Sequence, residues 1–195
     1  MLASVISRFN EKRAGELEGE AADSGFTLIE LMVVLLIMAI LLAIAIPTFL
    51  GVKGGAQDRA AQSNLNTALT NAKAVYGNNQ SYGTSSLAVS SLSSSEASLS
   101  FDAVGGTSTG QNVIEVATEV NGNSIMLINK SSAGDCWGIL TNETTTSTGQ
   151  GASTWPKSTA AGTYYTSWKP TVLGPCTTAT GYSATWQINS FPSAA

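Results

Sequence analysis

The chain has 195 residues, enough for one ordinary domain plus an extension, and only 11% are charged, with a formal net charge of −4; soluble proteins average roughly 25% charged residues. From Asn78 onward three lysines (Lys130, Lys157, Lys169) stand against six carboxylates (Glu96, Asp102, Glu115, Glu119, Asp135, Glu143), so no basic stripe exists to neutralise phosphates and no specific nucleic-acid partner is expected. With no His and only two cysteines, Cys136 and Cys176, neither an imidazole base nor a zinc cluster can be assembled; no catalysis, cofactor or metal is expected.

In chain order, residues 1–25 form a polar leader. Leu2, Val5, Ile6 and Phe9 share helical spacing, and the acidic run Glu16, Glu18, Glu20 and Asp23 follows. An ordinary secretory signal places its basic region directly before the apolar stretch, whereas here Arg8, Lys12 and Arg13 lie well upstream. From Leu31 to Val52 the chain runs 22 residues without a charge, long enough to cross a hydrocarbon core of about 30 Å at about 1.5 Å per residue. Pro47 sits deep in that segment and Gly51, Gly54 and Gly55 follow, so a kink or local melting is expected there.

A second helical pattern starts near Ala56. Ala61, Leu65, Ala68, Leu69, Ala72, Val75 and Tyr76 fall on one face, with Asp58, Arg59, Gln62 and Lys73 mostly elsewhere. Gly77, Asn78 and Asn79 supply left-handed conformations, which predicts one helical element from Phe26 to about Tyr76. The Ser-rich stretch from Asn78 to Ser100 predicts a meandering loop with one short helical turn. Strands are predicted over Asn112 to Val120, with Ile114, Val116 and Val120 on one face, and over Ser124 to Asn129, joined by an Asn121-Gly122 hairpin turn. Asp135 to Thr141, Thr163 to Trp168 and a short tail segment, Thr185 to Ile188, are further strand candidates.

Cys136 and Cys176, downstream of a membrane-length segment, read most simply as one disulfide formed in an oxidising compartment; two free thiols are the alternative. The aromatics Trp137, Trp155, Trp168, Trp186, Tyr164, Tyr165 and Tyr182 admit two readings, a sugar-binding surface or core and loop anchors, of which the second is preferred in a domain short of large aliphatics. The sequons at Asn79, Asn129 and Asn142 match a short, common pattern and carry no argument alone.

The most informative segment is Ser24-Gly25-Phe26-Thr27-Leu28-Ile29-Glu30, which puts one carboxylate at the edge of an apolar helix. At a membrane helix centre such a group costs about 2.5 to 3.5 kcal/mol and marks a partner or a function. Cleavage between Gly25 and Phe26 would create an α-amino group, with a reference pKa near ~8, four residues before Glu30. Ala43-Ile44-Ala45 is a rival signal-peptidase site that would leave Ile46 first, and the apolar stretch alone could also be a plain anchor.

From Gly25 through Phe26-Thr27-Leu28-Ile29-Glu30-Leu31 to Pro47-Thr48-Phe49 the chain resembles the type IV pilin family, including the pseudopilins. The likeness covers about the first third of the chain, from Ser24 to near Tyr76. It implies that a prepilin peptidase cuts after Gly25, that Phe26 is N-methylated, and that Glu30 pairs with a terminal amine during assembly; Pro47 is the matching helix proline. Cys136 and Cys176 beside Trp137 resemble the disulfide-closed C-terminal loop of many pilins. The leader departs from the family's frequent pattern in being long and acidic beside the cleavage site.

The expected fold is α+β. One long N-terminal helix lies with its second half on an antiparallel sheet of about four strands, and a disulfide closes the C-terminal region. The expected parts are a leader (1–25), a transmembrane and filament-core helix (26–50), its amphipathic second half (51–77) and an extracellular β-rich domain (78–195). The resemblance implies a filament subunit that waits in membrane lipid and then forms a helical homo-oligomer on the cell surface. It also implies a prepilin peptidase, a membrane assembly platform and a separate ATPase motor, since no nucleotide-binding motif occurs here. The rival functions are a pseudopilin of a secretion or DNA-uptake machine and a membrane-tethered binding module.

Overall fold

A computed structural model describes residues 26–144, 160–170, 174, 176–177 and 185–192. The leader with its helical spacing, Gly25, Trp155 and Tyr182 lie outside the described residues. The chain divides into two compact units, Met1–Thr48 and Phe49–Ala195.

Helix α1 spans Leu28–Asn79 with Pro47 inside it. In the first unit every described residue is exposed, and the helix is long and apolar enough to cross a membrane. In the second unit the helix buries Ala61, Leu65, Ala68, Leu69 and Ala72, the expected stripe, while Val75 and Tyr76 are half-buried. Asp58 departs from expectation: it is buried, because the Trp137 indole Nε1 donates to its Oδ1 at 3.3 Å.

The helix stops later than predicted. It continues through Gly77 and Asn78 to Asn79, and Gln80, at φ 53°, takes the left-handed position. The chain is then hooked to the sheet, with Tyr82 N donating to Gly122 O at 2.7 Å. Gly122 has φ 71°, a left-handed conformation that favours glycine, and a Cβ there would run into Ser81 Oγ where the chain crosses. The Tyr82 hydroxyl donates to Glu143 Oε1 at 2.5 Å. Burial first, then Glu143, push its pKa well up and keep it a donor.

The predicted loop after α1 is a three-turn helix instead, α2, Ser85–Ser95. Serine has weak helix propensity in isolation. Here Thr84 caps the first turn, its Oγ1 accepting from Leu87 N at 3.4 Å. Ala88 and Leu92, four residues apart, are buried, and α2 packs on strands β1 and β2.

The sheet has six strands in sequence order: β1 Ser100–Ala103, β2 Val113–Thr118, β3 Ser124–Lys130, β4 Cys136–Asn142, β5 Gly162–Trp168 and β6 Gln187–Ile188. The expected count of about four is therefore corrected to six. β1, with only Phe101 buried, was missed because four residues carry too little alternation to be read. It also pairs parallel to β2, while every other pair is antiparallel. The fold is α+β with a mostly antiparallel sheet.

Both faces of the sheet are covered. Toward the helices lie Phe101, Ile114, Val116, Ile125, Leu127, Trp137 and Ile139, with Phe191 edge-on to Trp137 at 5.7 Å. Val120, expected on that face, falls beyond the end of β2 and is 79% exposed. The opposite face gathers Ala117, Met126, Ile128, Leu140 and Tyr164 with both cysteines, and Trp168 and Trp186 pack against them. Gly138 makes room there, since a Cβ would meet Ile128 Cδ1 at 2.7 Å and the Trp186 ring at 3.2 Å.

Candidate functional site

The site centres on the start of α1, where the sequence Thr27-Leu28-Ile29-Glu30 folds into a reciprocal cap. Thr27 N and Thr27 Oγ1 both donate to Glu30 Oε2, at 2.9 and 2.7 Å. Glu30 N donates back to Thr27 Oγ1 at 3.2 Å. The first helical N–H groups have no partner inside a helix, and a Thr followed three positions later by Glu satisfies them from both directions. The carboxylate also sits at the positive end of the helix dipole. Glu30 is thus not a bare charge before any partner arrives: a hydroxyl and an amide of its own chain hold one oxygen, and Oε1 stands outside that pair of bonds.

Thr27 is the residue that sequence reasoning overlooked. The Thr-x-x-Glu spacing is its signal in the sequence, whereas the charge of Glu30 by itself points only to a partner. Phe26, beside Thr27, is exposed, and Gly25 lies outside the described residues.

Further along α1, the helix runs unbroken through Pro47. Proline supplies no N–H to the preceding turn. The Thr48 hydroxyl donates to Ile44 O and Ala45 O at 3.1 and 3.0 Å and so holds the carbonyls beside the proline. A Cβ added at Gly51, Gly54 or Gly55 would meet nothing within 4 Å. Among the described residues no neighbour requires glycine at those positions.

Cys136 and Cys176 are joined in one disulfide, 40 residues apart in sequence. Cys176 is pinned a second time by its backbone, with Ser108 and Cys176 exchanging N–H···O bonds at 3.1 Å in both directions. Lys130 Nζ also donates to Gly174 O at 2.7 Å. Of the aromatics read as core and loop anchors, Trp137 and Tyr164 are buried, and Tyr165, Trp168 and Trp186 are half-buried against the two apolar clusters.

Residues 21–46 match the prokaryotic N-terminal methylation motif. No curated protein and no solved structure matches the chain. The matched segment brackets the Gly25–Phe26 bond, the Thr27–Glu30 cap and the first part of the exposed apolar helix. In type IV pilins and pseudopilins this motif is the class III leader, the signal that prepilin peptidase reads.

Proposed function

We propose that this protein is the structural subunit of a type IV pilus-like extracellular filament. The observation that carries the reading is the methylation motif running onto a helix whose apolar side chains, from Leu28 to Val52, are exposed among the described residues. Such a surface is not stable in water. Lipid covers it while the subunit waits as a single-pass membrane protein, and neighbouring copies replace the lipid in a helical homo-oligomer. Prepilin peptidase cuts between Gly25 and Phe26, the new terminus is N-methylated, and Glu30 pairs with that amine in its own or an adjacent subunit. Methylation keeps the amine positive, so this pairing does not depend on it. Force and energy come from a separate assembly platform and ATPase motor, and the subunit's role is structural rather than catalytic.

The test is to shear surface filaments from cells making this chain, image them by electron microscopy and identify the main polypeptide. Long fibres built of this chain support the reading. A chain that stays with the membrane while forming only short assemblies points to a pseudopilin, and one that never polymerises points to a tethered binding module.

A further inference from the structure

The contacts of α1 run in order along the sheet. Asp58 accepts from Trp137 near the start of β4, Asn64 Nδ2 donates to Gln111 O at 2.7 Å just before β2, and Lys73 Nζ donates to Thr163 Oγ1 at 3.3 Å near the start of β5. The helix therefore enters the second unit at the sheet end where Lys130, Cys136 and Trp168 form one row of register partners, and it runs toward the other end.

Charges at the entry end are sorted by sign. Lys53 and Arg59 on α1 and Lys169, just past β5, are exposed. The carboxylates of that end, Asp58 and Asp135, are withdrawn, at 7% and 8% exposed. Asp135 feels the charges of both Asp58 and Lys169, which places the three groups together. Lys130 is half-buried and donates to Gly174 O. Glu96 is half-buried beside Asn71, about two turns beyond Asn64. Asp102, the one exposed carboxylate among the described residues of the second unit, lies on β1, at the far edge of the sheet from β5. After Glu143 the sequence contains no Asp or Glu. A chain of net charge −4 thus carries a cationic rim at the end where its apolar segment joins the sheet.

We propose that this rim, formed by Lys53, Arg59 and Lys169, docks on the anionic phospholipid headgroups of the membrane that α1 spans, holding the second unit against the lipid surface before assembly. The inference rests on the single-pass reading of α1. Lys53 is the first charge after the run from Leu31 to Val52, so it stands where an apolar span meets the headgroups, a usual depth for Lys and Arg at helix ends. Arg59 follows about 9 Å further along the axis, about one Debye length at physiological salt. Lys169 reaches the same end from a separate strand, behind the half-buried Trp168. A neighbouring copy is the poorer partner, because among the described residues its second unit exposes only Asp102. Each cation at an anionic surface multiplies the docked population by about fivefold, and three together by roughly a hundredfold.

The test places the full chain, one copy per disc, in lipid nanodiscs of phosphatidylcholine alone or with a third of it replaced by phosphatidylglycerol. Acetylation of each lysine is followed by peptide mass mapping. Co-elution of chain and disc reports insertion of α1 separately, so a failure of the membrane reading is told apart from a failure of docking. Lys169 should be acetylated at least about fivefold more slowly in the anionic discs at low salt, with Lys73, at the other end of the sheet, unchanged. Salt at about 0.5 M should abolish the difference. Lys53→Gln combined with Arg59→Gln should return Lys169 to its neutral-disc rate although Lys169 itself is untouched, which separates docking from mere nearness to a charged surface. The proposal is overturned by equal Lys169 rates in the two lipids, by equal slowing at Lys73, by slowing that survives the double substitution or high salt, or by slowing that needs a second copy in the disc, which would assign the rim to a neighbouring subunit.

Discussion

At the residue scale the cap at Thr27 and Glu30 gives the single carboxylate of the apolar half two tasks that substitution can separate. Thr27→Ala removes a hydroxyl that both donates to Glu30 Oε2 and accepts from Glu30 N, and N-cap losses of this kind cost about 1 kcal/mol. Glu30→Gln keeps the shape and much of the cap but loses the charge. Filament number should therefore fall in Glu30→Gln while membrane insertion and leader cleavage, followed by fractionation and precursor size, stay near the parent level. Normal filament abundance and length in Glu30→Gln, or in Glu30→Leu, would rule out a pairing role. Its value would be registry, because a subunit at the wrong axial height leaves two unpaired charges in an apolar bundle.

A second carboxylate responds to pH. Burial pushes the Asp135 carboxyl above its ordinary value, the Asp58 charge adds to the rise, and Lys169 opposes it. A group whose pKa is raised on folding stabilises the fold below the unfolded value, near ~3.9, and that contribution is lost as pH rises through the folded value. Asp135→Asn should accordingly be more stable than the parent at pH 7, with the advantage vanishing as the pH falls to about 4, as read by denaturant melts across that range. The neighbouring Asp58→Ala should be costly at any pH, by about 1 to 3 kcal/mol, because it strands the Trp137 indole N–H, which is only 1% exposed.

At the element scale the glycines of α1 are the clearest anomaly. Gly51, Gly54 and Gly55 each weaken a helix by about 1 kcal/mol relative to alanine, yet none is crowded by the described residues. Replacing all three by alanine should stiffen the helix and reduce filament yield, and a filament map should show the backbone unwound between Pro47 and Gly55. An unbroken helix through Gly51 in such a map would contradict this. On the packed half, Leu65→Ala should cost about 2 to 5 kcal/mol, since the side chain is fully buried between α1 and the sheet.

These elements also mark where the sequence could and could not be read. The stripe from Ala61 to Ala72 and the hairpin at Asn121-Gly122 were legible because their periodicity and turn chemistry are local. α2 was not, because serine-rich segments become helical here only through a cap at Thr84 and burial of Ala88 and Leu92 against strands that are distant in sequence. β1 depends likewise on pairing with β2. At the candidate site Glu30 stood out by charge alone, whereas Thr27 required attention to its spacing from Glu30.

At the scale of the whole molecule, the Cys136–Cys176 bridge and the Ser108 contacts tie the C-terminal region to β4 and to the loop before β2. A closed loop of this length contributes about 4 kcal/mol in the chain-entropy treatment, reduced by any native strain. Reduction should loosen that region while leaving the helical circular dichroism of α1 nearly unchanged in detergent, and the mass of the linked peptide pair should disappear. The most direct test of the whole account is the intact mass and N-terminal sequence of the main polypeptide in sheared filaments. The account predicts a polypeptide that begins at an N-methylated Phe26 and has lost residues 1–25. A terminus at Met1 or Ile46, or the absence of this polypeptide from the filament fraction, would contradict it.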